Sequence, residues 1–322
     1  MSLAQPSLDT LEAALDMAVR APSVHNSQPW RWRIDGRTVD LYADPGRHLV
    51  ATDPQRRGLV LSCGAALHHL RVAMAVLGWS ADVRHLPNPA DTEHLATVEF
   101  RPREPRPADF ALAAALMHRR SDRRRYSWWQ VPSPYVRRIS SQATRFGATA
   151  RHVPDGLRSR LARPAREAAR RHAADPAYQR ELAAWSGRRG TTDGVPAANT
   201  PCPGADDEIP VRVFNEPGLA DRTEHPDAAE WLVVCTPADD RLSRLRAGEA
   251  ISAMLLSATE LGLSTCLQTE PLGVPELRDD IRAQVLQNCA HPQAMVRIGW
   301  VPTSAAPLPH TPRRPLEEVV ER

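Results

Sequence analysis

From Asp9 to Arg20 the apolar side chains fall at Leu11, Leu15, Ala18 and Val19, the spacing of one helix face. Ala21-Pro22 closes this helix, because proline cannot continue the hydrogen-bond ladder. Trp30 to Ile34 and Val39 to Tyr42 alternate apolar with polar positions, and Asp35-Gly36 between them predicts a hairpin. A long helix is predicted from about Leu59 to Gly78, with Leu67, Leu70, Met74 and Leu77 as its stripe and Gly78 as its C-cap. Phe110 to Met117 reads as another helix. Trp231 to Thr236 is a continuous apolar run of buried-strand type, and Val296 to Val301 predicts a last strand before a proline-rich tail.

One of these elements recurs. The stretch from about Gly248 to Gly262 repeats the helix at 59–78 with a constant offset: Gly64, Ala66 and Gly78 return as Gly248, Ala250 and Gly262, 184 residues on. The stripe returns as Ile251, Met254, Ala258 and Leu261, so two related halves of an α+β fold are expected. Between them, 101–190 holds about half of the arginines, and Pro196 to Pro226 has neither helical nor strand period. A structureless stretch of that length inside a folded chain is usually functional, and it is read here as a lid.

Composition narrows the chemistry. All 41 basic residues among the 322 are arginine, which excludes a lysine Schiff base, a Ser-x-x-Lys dyad and a phosphate-binding loop of the G-x-x-x-x-G-K-[ST] type. Against 38 acidic residues this leaves a net charge of only +3, and 42% hydrophobic residues are enough to bury real cores. The five cysteines are scattered without a C-x-x-C pair, so neither a disulfide framework nor a metal site is expected. No leader and no run of roughly 18 apolar residues is seen, and a cytoplasmic protein without a membrane partner is expected. G-x-G-x-x-G after a strand, H-E-x-x-H and G-x-S-x-G are all absent.

Two segments carry candidate chemistry. Ala21-Pro22-Ser23-Val24-His25-Asn26-Ser27-Gln28-Pro29-Trp30 runs from a helix end into a strand and presents two hydroxyls and two carboxamides between prolines. Such groups either address the edge of a planar heterocycle or cap their own turn. His118-Arg119-Arg120-Ser121-Asp122-Arg123-Arg124-Arg125-Tyr126 gathers fixed cations and a hydroxyl, suited to a phosphate or an anionic ring edge. Arginines here and at 137, 138, 158, 160, 163, 166, 170 and 171 also pose a nucleic-acid reading, but no helix-turn-helix, zinc-finger or RNP signature accompanies them, and no nucleic-acid partner is expected.

Pro22-Ser23-x-His25-Asn26-x-Gln28-Pro29-Trp30 resembles the P-S-x-x-N-x-Q-P-W motif of FMN-dependent nitroreductases, and Arg119-Arg120-Ser121-x-Arg123 resembles their R-R-S-x-R motif. The ending, Gly299-Trp300-Val301-Pro302 and then Pro312-Arg313-Arg314-Pro315, is similar to the family's tail. The order of motifs and the length resemble the Acg branch, dormancy-associated actinobacterial proteins in which two nitroreductase-like halves are fused. The resemblance covers most of the chain outside roughly 150–225. It implies two tandem α/β halves forming an intramolecular pseudo-dimer with a lid insertion: an N-terminal half at 1–107, a C-terminal half at 108–322, and a lid at about 186–226.

The resemblance also implies FMN as cofactor, NAD(P)H as electron donor and a nitroaromatic or quinone acceptor, with the flavin and no protein side chain carrying the catalysis. A catalytically silent FMN-sequestering or storage protein is the alternative. In the family each flavin lies between two subunits. Here the first half has P-S-x-H-N without a preceding R-R-S-x-R, and in the second half R-R-S-x-R is followed by the 150–225 stretch in place of P-S-x-x-N. One complete site is therefore implied, in a chain that is monomeric because its halves mimic the homodimer. Carried over residue by residue, Arg119, Ser121 and Arg313 or Arg314 would hold the phosphate, Arg123 the ribityl chain and ring edge, and Arg120 would support them. Pro22, Ser23, Val24, Asn26 and Gln28 would hold the flavin from the first half, and Thr269 and Glu270 would stand near N5. Two departures stand out: the aromatic that closes R-R-S-x-R-x-F arrives one residue late, as Tyr126, and Glu270 occupies a position where glycine is common.

Overall fold

The computed structural model describes residues 5–36, 38–202, 207–220 and 227–321. Helix α1 (Leu8–Ala18) starts at Ser7, whose hydroxyl accepts the Thr10 N–H, and leads through the 19–29 loop into β1 (Trp30–Asp35) and β2 (Thr38–Ala43). Gly36 takes φ +52° in the hairpin turn. Helix α2 (Arg57–Val76), β3 (Trp79–His85) and β4 (His94–Pro102) complete the first unit, an antiparallel sheet of order β1-β2-β4-β3.

The second unit enters through α3 (Pro107–His118), α4 (Ser133–Ser141) and β5 (Thr149–Val153). An excursion follows, with α5 (Asp155–Ala173), α6 (Pro176–Trp185) and the short parallel pair β6 (Ser186–Arg188) and β7 (Val195–Pro196). The chain returns with β8 (Glu230–Thr236), α7 (Arg241–Glu260), β9 (Ser264–Gln268), α8 (Pro275–Gln284) and β10 (His291–Gly299). Its sheet has the order β5-β8-β10-β9, the first sheet's order repeated with α7 in the place of α2. The repeat seen in one helix thus extends over both sheets.

Of the four glycines in the repeat, Gly78 and Gly262 close their helices with φ +89° and +79°, and Gly64 and Gly248 lie inside them. Helix α7 begins earlier than its apolar stripe suggested, at Asp240, whose carboxylate accepts the Ser243 N–H at 2.7 Å. Gly64 and Gly248 are interior residues that face each other across the α2–α7 contact. A Cβ on Gly64 would stand 2.1 Å from the Leu245 carbonyl oxygen, and one on Gly248 2.2 Å from that of Leu61. One turn on, His68 Nδ1 and Ser252 Oγ hydrogen-bond at 2.8 Å, again a pair 184 residues apart. Residues at equal positions in the two halves therefore touch, the mark of a local two-fold axis. Leu61 packs in the second unit's core and Leu245 in the first unit's, each half lending the same leucine to the other. Helix α2 is the one helix among the described residues long and apolar enough to cross a membrane, and 83% of that stretch is buried inside the protein.

Elsewhere the symmetry is broken. Strand β11 (Val320–Glu321), from the end of the second half, adds in parallel to the free edge of β1, where the Trp32 N–H meets the Val319 carbonyl at 2.7 Å. The excursion clamps the first unit too: Glu181 accepts the N–H groups of Ala51 and Thr52 at 3.0 and 2.7 Å, and Asp193 pairs with Arg47 at 2.5 Å. The segment between α4 and β5, residues 142–148, stands where the 19–29 loop stands in the first unit; this short turn, and not the longer 150–225 stretch, occupies the place of a second P-S-x-x-N loop. Among the described residues of the Pro196 to Pro226 stretch, a 3-10 turn at Ala197–Asn199 and a bridge between Pro201 and Leu219 add to β7, and the parts of this reading at 203–206 and 221–226 lie outside the described residues.

Candidate functional site

Two hydroxyls hold the 19–29 loop, one of them on α2. Ser62 Oγ accepts the Val24 N–H at 3.2 Å, and Ser23 Oγ accepts the Gln28 N–H at 3.0 Å. Within it His25, Asn26 and Gln28 all take positive φ, near 50°. Left-handed backbone at three non-glycine residues in four positions costs energy and persists only where surrounding bonds over-determine it. Those bonds come from outside: Asn26 Nδ2 donates to the carbonyls of Gly194 and Pro312, and Gln28 Nε2 to that of Thr192 at 2.9 Å. Gln28 Oε1 accepts the Arg314 N–H at 2.8 Å. Asn26 and Gln28 thus lock the loop to the excursion and to the tail.

On the other side, the R-R-S-x-R segment is stitched to β9, with Ser121 bridged to Thr265 and the Asp122 N–H bonded to the Thr265 carbonyl at 2.9 Å. Tyr126, one residue late by the family pattern, is wholly buried under Gly299, where a Cβ would approach its ring to 2.4 Å, and its hydroxyl donates to the Asp122 carbonyl. The aromatic therefore anchors the basic segment to β10 despite its shift.

Between these two walls lies a cavity of about 850 Å³ including its mouth. Pro22, Ser23, Val24 and His25 line it from the first half, with Gly58, Leu61, Ser62 and Ala65 of α2 as its floor. Ser121, Arg123, Ile251, Cys266, Leu267, Gln268, Thr269 and Glu270 come from the second half. Val211, Arg212 and Phe214, from the stretch before β8, cover it. Phe214 meets the edge of His25 at 5.6 Å, and the Arg123 guanidinium lies 4.8 Å from the Phe214 ring centre. Arg212 is hydrogen-bonded to His25 Nε2, so His25 accepts there and is neutral; burial, then Arg212 and Arg123, hold its pKa well below the usual value. Arg212 also stands 3.8 Å from Glu270, which hydrogen-bonds His172 Nδ1 at 2.9 Å. Burial alone would raise the Glu270 pKa, but Arg212 and the bond to His172 outweigh it and keep the carboxylate charged.

Several polar atoms around the cavity have no partner: His25 Nδ1, Asn26 Oδ1, Arg212 Nε and Gln268 Nε2 are buried without a hydrogen bond. Buried orphans of this kind are costly and mark places where a ligand completes the bonding.

A second group of unsatisfied atoms adjoins the same segment. Arg119, Arg120 and Arg313 line a smaller cavity with Arg20 and His310, and no carboxylate pairs with those three guanidinium groups among the described residues. Arg119 is buried, its Nε has no partner, and its Nη1 reaches Ser121 Oγ only at 3.5 Å. Burial, then Arg120 and Arg123, bring its pKa down to about 10; burial, then Arg119, Arg120 and Arg20, bring that of Arg313 down to about 9. Such mutual repulsion is relieved by an anion. The two tail arginines are not equivalent. Arg313 turns its donors to the backbone carbonyls of Val19, Arg20 and Ala21 at the end of α1, keeping its charge at the cluster, whereas Arg314 turns away to Glu318 and Asp44.

Arg212, Phe214, Gln268 and Cys266 were not among the residues singled out from the sequence. Val211 and Phe214 are buried while Val213 is exposed, and the apolar alternation of Val211 and Val213 would have marked the wrong face, so the sequence offered no usable signal for this segment.

No protein-family model matches the chain. Among curated proteins it is 46% identical over 321 residues, covering 98% of this chain and 92% of the relative, to a Mycobacterium tuberculosis protein named "Putative NAD(P)H nitroreductase". A second from the same organism, "Putative NAD(P)H nitroreductase acg", is 38% identical over 326 residues, covering 97% of this chain and 95% of the relative. Among solved structures, the FMN-dependent nitroreductase NfnB from Mycobacterium smegmatis in complex with NADPH aligns over 67% of this chain and 99% of its own with a TM-score of 0.42 and 16% identity. The chain belongs to the nitroreductase family, in its Acg-like branch.

Proposed function

We propose that this protein is an FMN-dependent NAD(P)H oxidoreductase of the nitroreductase type, with one flavin site between its halves. The observation that carries the reading is the guanidinium cluster of Arg119, Arg120 and Arg313, which has no carboxylate and adjoins a cavity whose buried donors lack partners. A phosphate at one end and an acceptor-rich ring at the other match that donor set. Arg119, Arg120 and the charge of Arg313 would hold the phosphate; Ser121, Arg123 and Gln268 would face the polar part of the ring and its chain; Pro22 to Val24 would supply the apolar wall. Asn26 and Gln28 hold the loop that presents that wall. Arg314, committed to Glu318, is the weaker of the two tail candidates. Thr269 and Glu270 line the cavity, with the Glu270 side chain occupied by His172 and Arg212. The chemistry supplied by the bound group is reversible hydride and electron transfer between NAD(P)H and an acceptor such as a nitroaromatic or quinone.

A single site is supported by the second half's counterparts of the cavity floor. Ser62 and Ala65 correspond to Arg246 and Glu249, and Glu249 is buried, ion-paired to Arg71 and hydrogen-bonded to His85, each at 2.7 Å. These larger, charged side chains occupy the place where the first cleft has its floor.

The cover formed by Val211, Arg212 and Phe214 favours a second reading, in which the residues about 186–226 are a lid and the protein sequesters FMN without turnover. Purified protein reconstituted with FMN should take up the flavin and its visible absorbance; a protein that stays colourless defeats both readings. Anaerobic NADPH then separates them: bleaching supports the reductase, and a flavin that NADPH leaves oxidised supports sequestration.

A further inference from the structure

On the other side of the α2–α7 pair lies a cavity that the flavin reading does not use. It measures about 1080 Å³ including its mouth, of the same order as the flavin cleft. Both units build it: α2 and β3 from the first, and α7 with the 142–146 segment from the second. That segment is the topological counterpart of the 19–29 loop, and it packs on α7 as the loop packs on α2, with Arg246 of α7 against Gly147. Arg246 and Glu249, the counterparts of Ser62 and Ala65, are not in its lining, which draws on His68, Arg71, Val72 and Ala75 from the C-terminal half of α2.

The lining is polarised. Its lining includes His68, bonded to Ser252, and two half-buried aromatic rings, Trp79 and Phe146, the latter meeting His68 at 5.2 Å and carrying the Arg71 guanidinium 5.2 Å from its centre. Burial, then Arg71 and Arg145, lower the His68 pKa to about 3, so this imidazole carries no charge at neutral pH. At the mouth stand Arg71, Arg103, Arg106 and Arg145, with Asp109 as the one carboxylate of the lining. Arg103 and Arg106 share Asp109, at 2.6 and 3.6 Å, and Arg71 is paired to Glu249 behind the wall. Arg145 is exposed and has Gln142 Oε1, at 3.3 Å, as its hydrogen-bond partner and no carboxylate among the described residues. Arg103 Nε is buried without a partner. Cations thus exceed carboxylates in a lining that also holds a neutral imidazole and two aromatic rings.

We infer that this second inter-half cleft is a separate binding site for a small molecule with a planar ring and a phosphate, of the mononucleotide class: Trp79 and Phe146 receive the ring, and Arg106 and Arg145 bind the phosphate. Guanidinium forks match phosphate oxygens in pairs, and a flat ring gains contact area on aromatic walls. This assignment does not rest on the flavin reading, since no residue is common to the two cavities.

Adenosine 5′-monophosphate is the probe, titrated calorimetrically into the protein as purified and again after saturation with FMN. One equivalent should bind in both cases, with affinity falling as salt rises, and adenosine or inorganic phosphate alone should bind at least about tenfold more weakly, as expected when both ends contribute. Arg106→Ala and Arg145→Ala alter exposed side chains and leave the fold intact; each should weaken the nucleotide at least about fivefold, while Arg151→Ala, exposed on β5, should not. Absence of binding at millimolar nucleotide, loss of binding on FMN saturation, phosphate binding as well as the nucleotide, or unchanged affinity in both mouth variants would each overturn the assignment.

Discussion

The contact of Gly64 with the backbone of α7 makes a sharp prediction, because the same substitution should have opposite signs at two helical glycines. A Cβ at Gly64 would lie 2.1 Å from the Leu245 carbonyl oxygen, and at Gly248 2.2 Å from that of Leu61. Ordinary contact begins near 3.4 Å, so the helices must part by about 1.3 Å, and a backbone carbonyl inside a helix cannot swing aside as a side chain would. Overpacking of this kind costs about 1–3 kcal/mol, and the immovable neighbour puts Gly64→Ala at the top of that range. Alanine's better helix propensity returns about 1 kcal/mol, leaving a net loss of about 2. In a protein of this size that lowers Tm by roughly 4 °C, at about 2 °C per kcal/mol. Gly156, in the first turn of α5, has nothing within 4 Å of its Cβ position, so Gly156→Ala should keep only the propensity gain, at most about 1 kcal/mol. Thermal and urea unfolding of the two variants, with Gly248→Ala as the symmetric partner, decides the matter. If Gly64→Ala is as stable as the parent, or if the two axis variants differ widely, the close two-fold contact is not what joins the halves.

Arg119→Ala should weaken FMN at least about tenfold in a fluorescence titration, since a charge-assisted bond contributes about 1.5–3 kcal/mol; unchanged affinity would remove Arg119 from the phosphate site. Arg212→Gln removes the charge that ties the cover to Glu270 and His25, and should speed FMN dissociation or NADPH-driven bleaching in stopped flow, with equal rates counting against a closing role. Asp239 links the halves: burial would raise its pKa, but Arg57 and Gln293 outweigh that and hold it down at about 2. Its folded pKa lies below its unfolded one, so its contribution is fully present above about pH 4 and is lost as pH falls toward 2. Asp239→Asn should flatten the stability profile in that window, and an unaltered acid limb would contradict the link.

Much of the architecture was legible because it repeats a period. The α1 stripe, the β1–β2 hairpin and the α2 stripe follow spacings that sequence displays directly, and β8 is a run of buried residues. Helix α7 was read seven residues short at its start because Arg241 to Ala247 is polar enough to hide the stripe, while the decisive Asp240 cap is a single residue. The C-cap role of Gly78 was legible, and Gly262 repeats it, but the role of Gly64 and Gly248 was not, because a glycine at a close backbone approach carries no signal until the partner helix is in view. Residues of both motif segments line the cavity, but its cover did not show in the sequence. Arg212 and Phe214 sit in an irregular stretch, and their burial depends on His25, Glu270 and Arg123 from three other parts of the chain.

The arrangement of the halves gives fusion a physical consequence. In a symmetric dimer each substitution on α2 appears twice, so a residue that fills one cleft fills the other, and both sites stay alike. Once the copies share a chain, Ser62 and Ala65 can remain small on one side while Arg246 and Glu249 grow on the other. The residues on the axis have no such freedom. Gly64 meets Gly248 and His68 meets Ser252, so a change in either copy strikes the same contact, and the glycines are held by the same limit of space. Divergence should therefore rise with distance from the axis. The two clefts lie off the axis on opposite sides of the helix pair, one floored by Ser62 and Ala65 and covered by Arg212 and Phe214, the other with Glu249 ion-paired to Arg71 behind its wall and open at an arginine mouth.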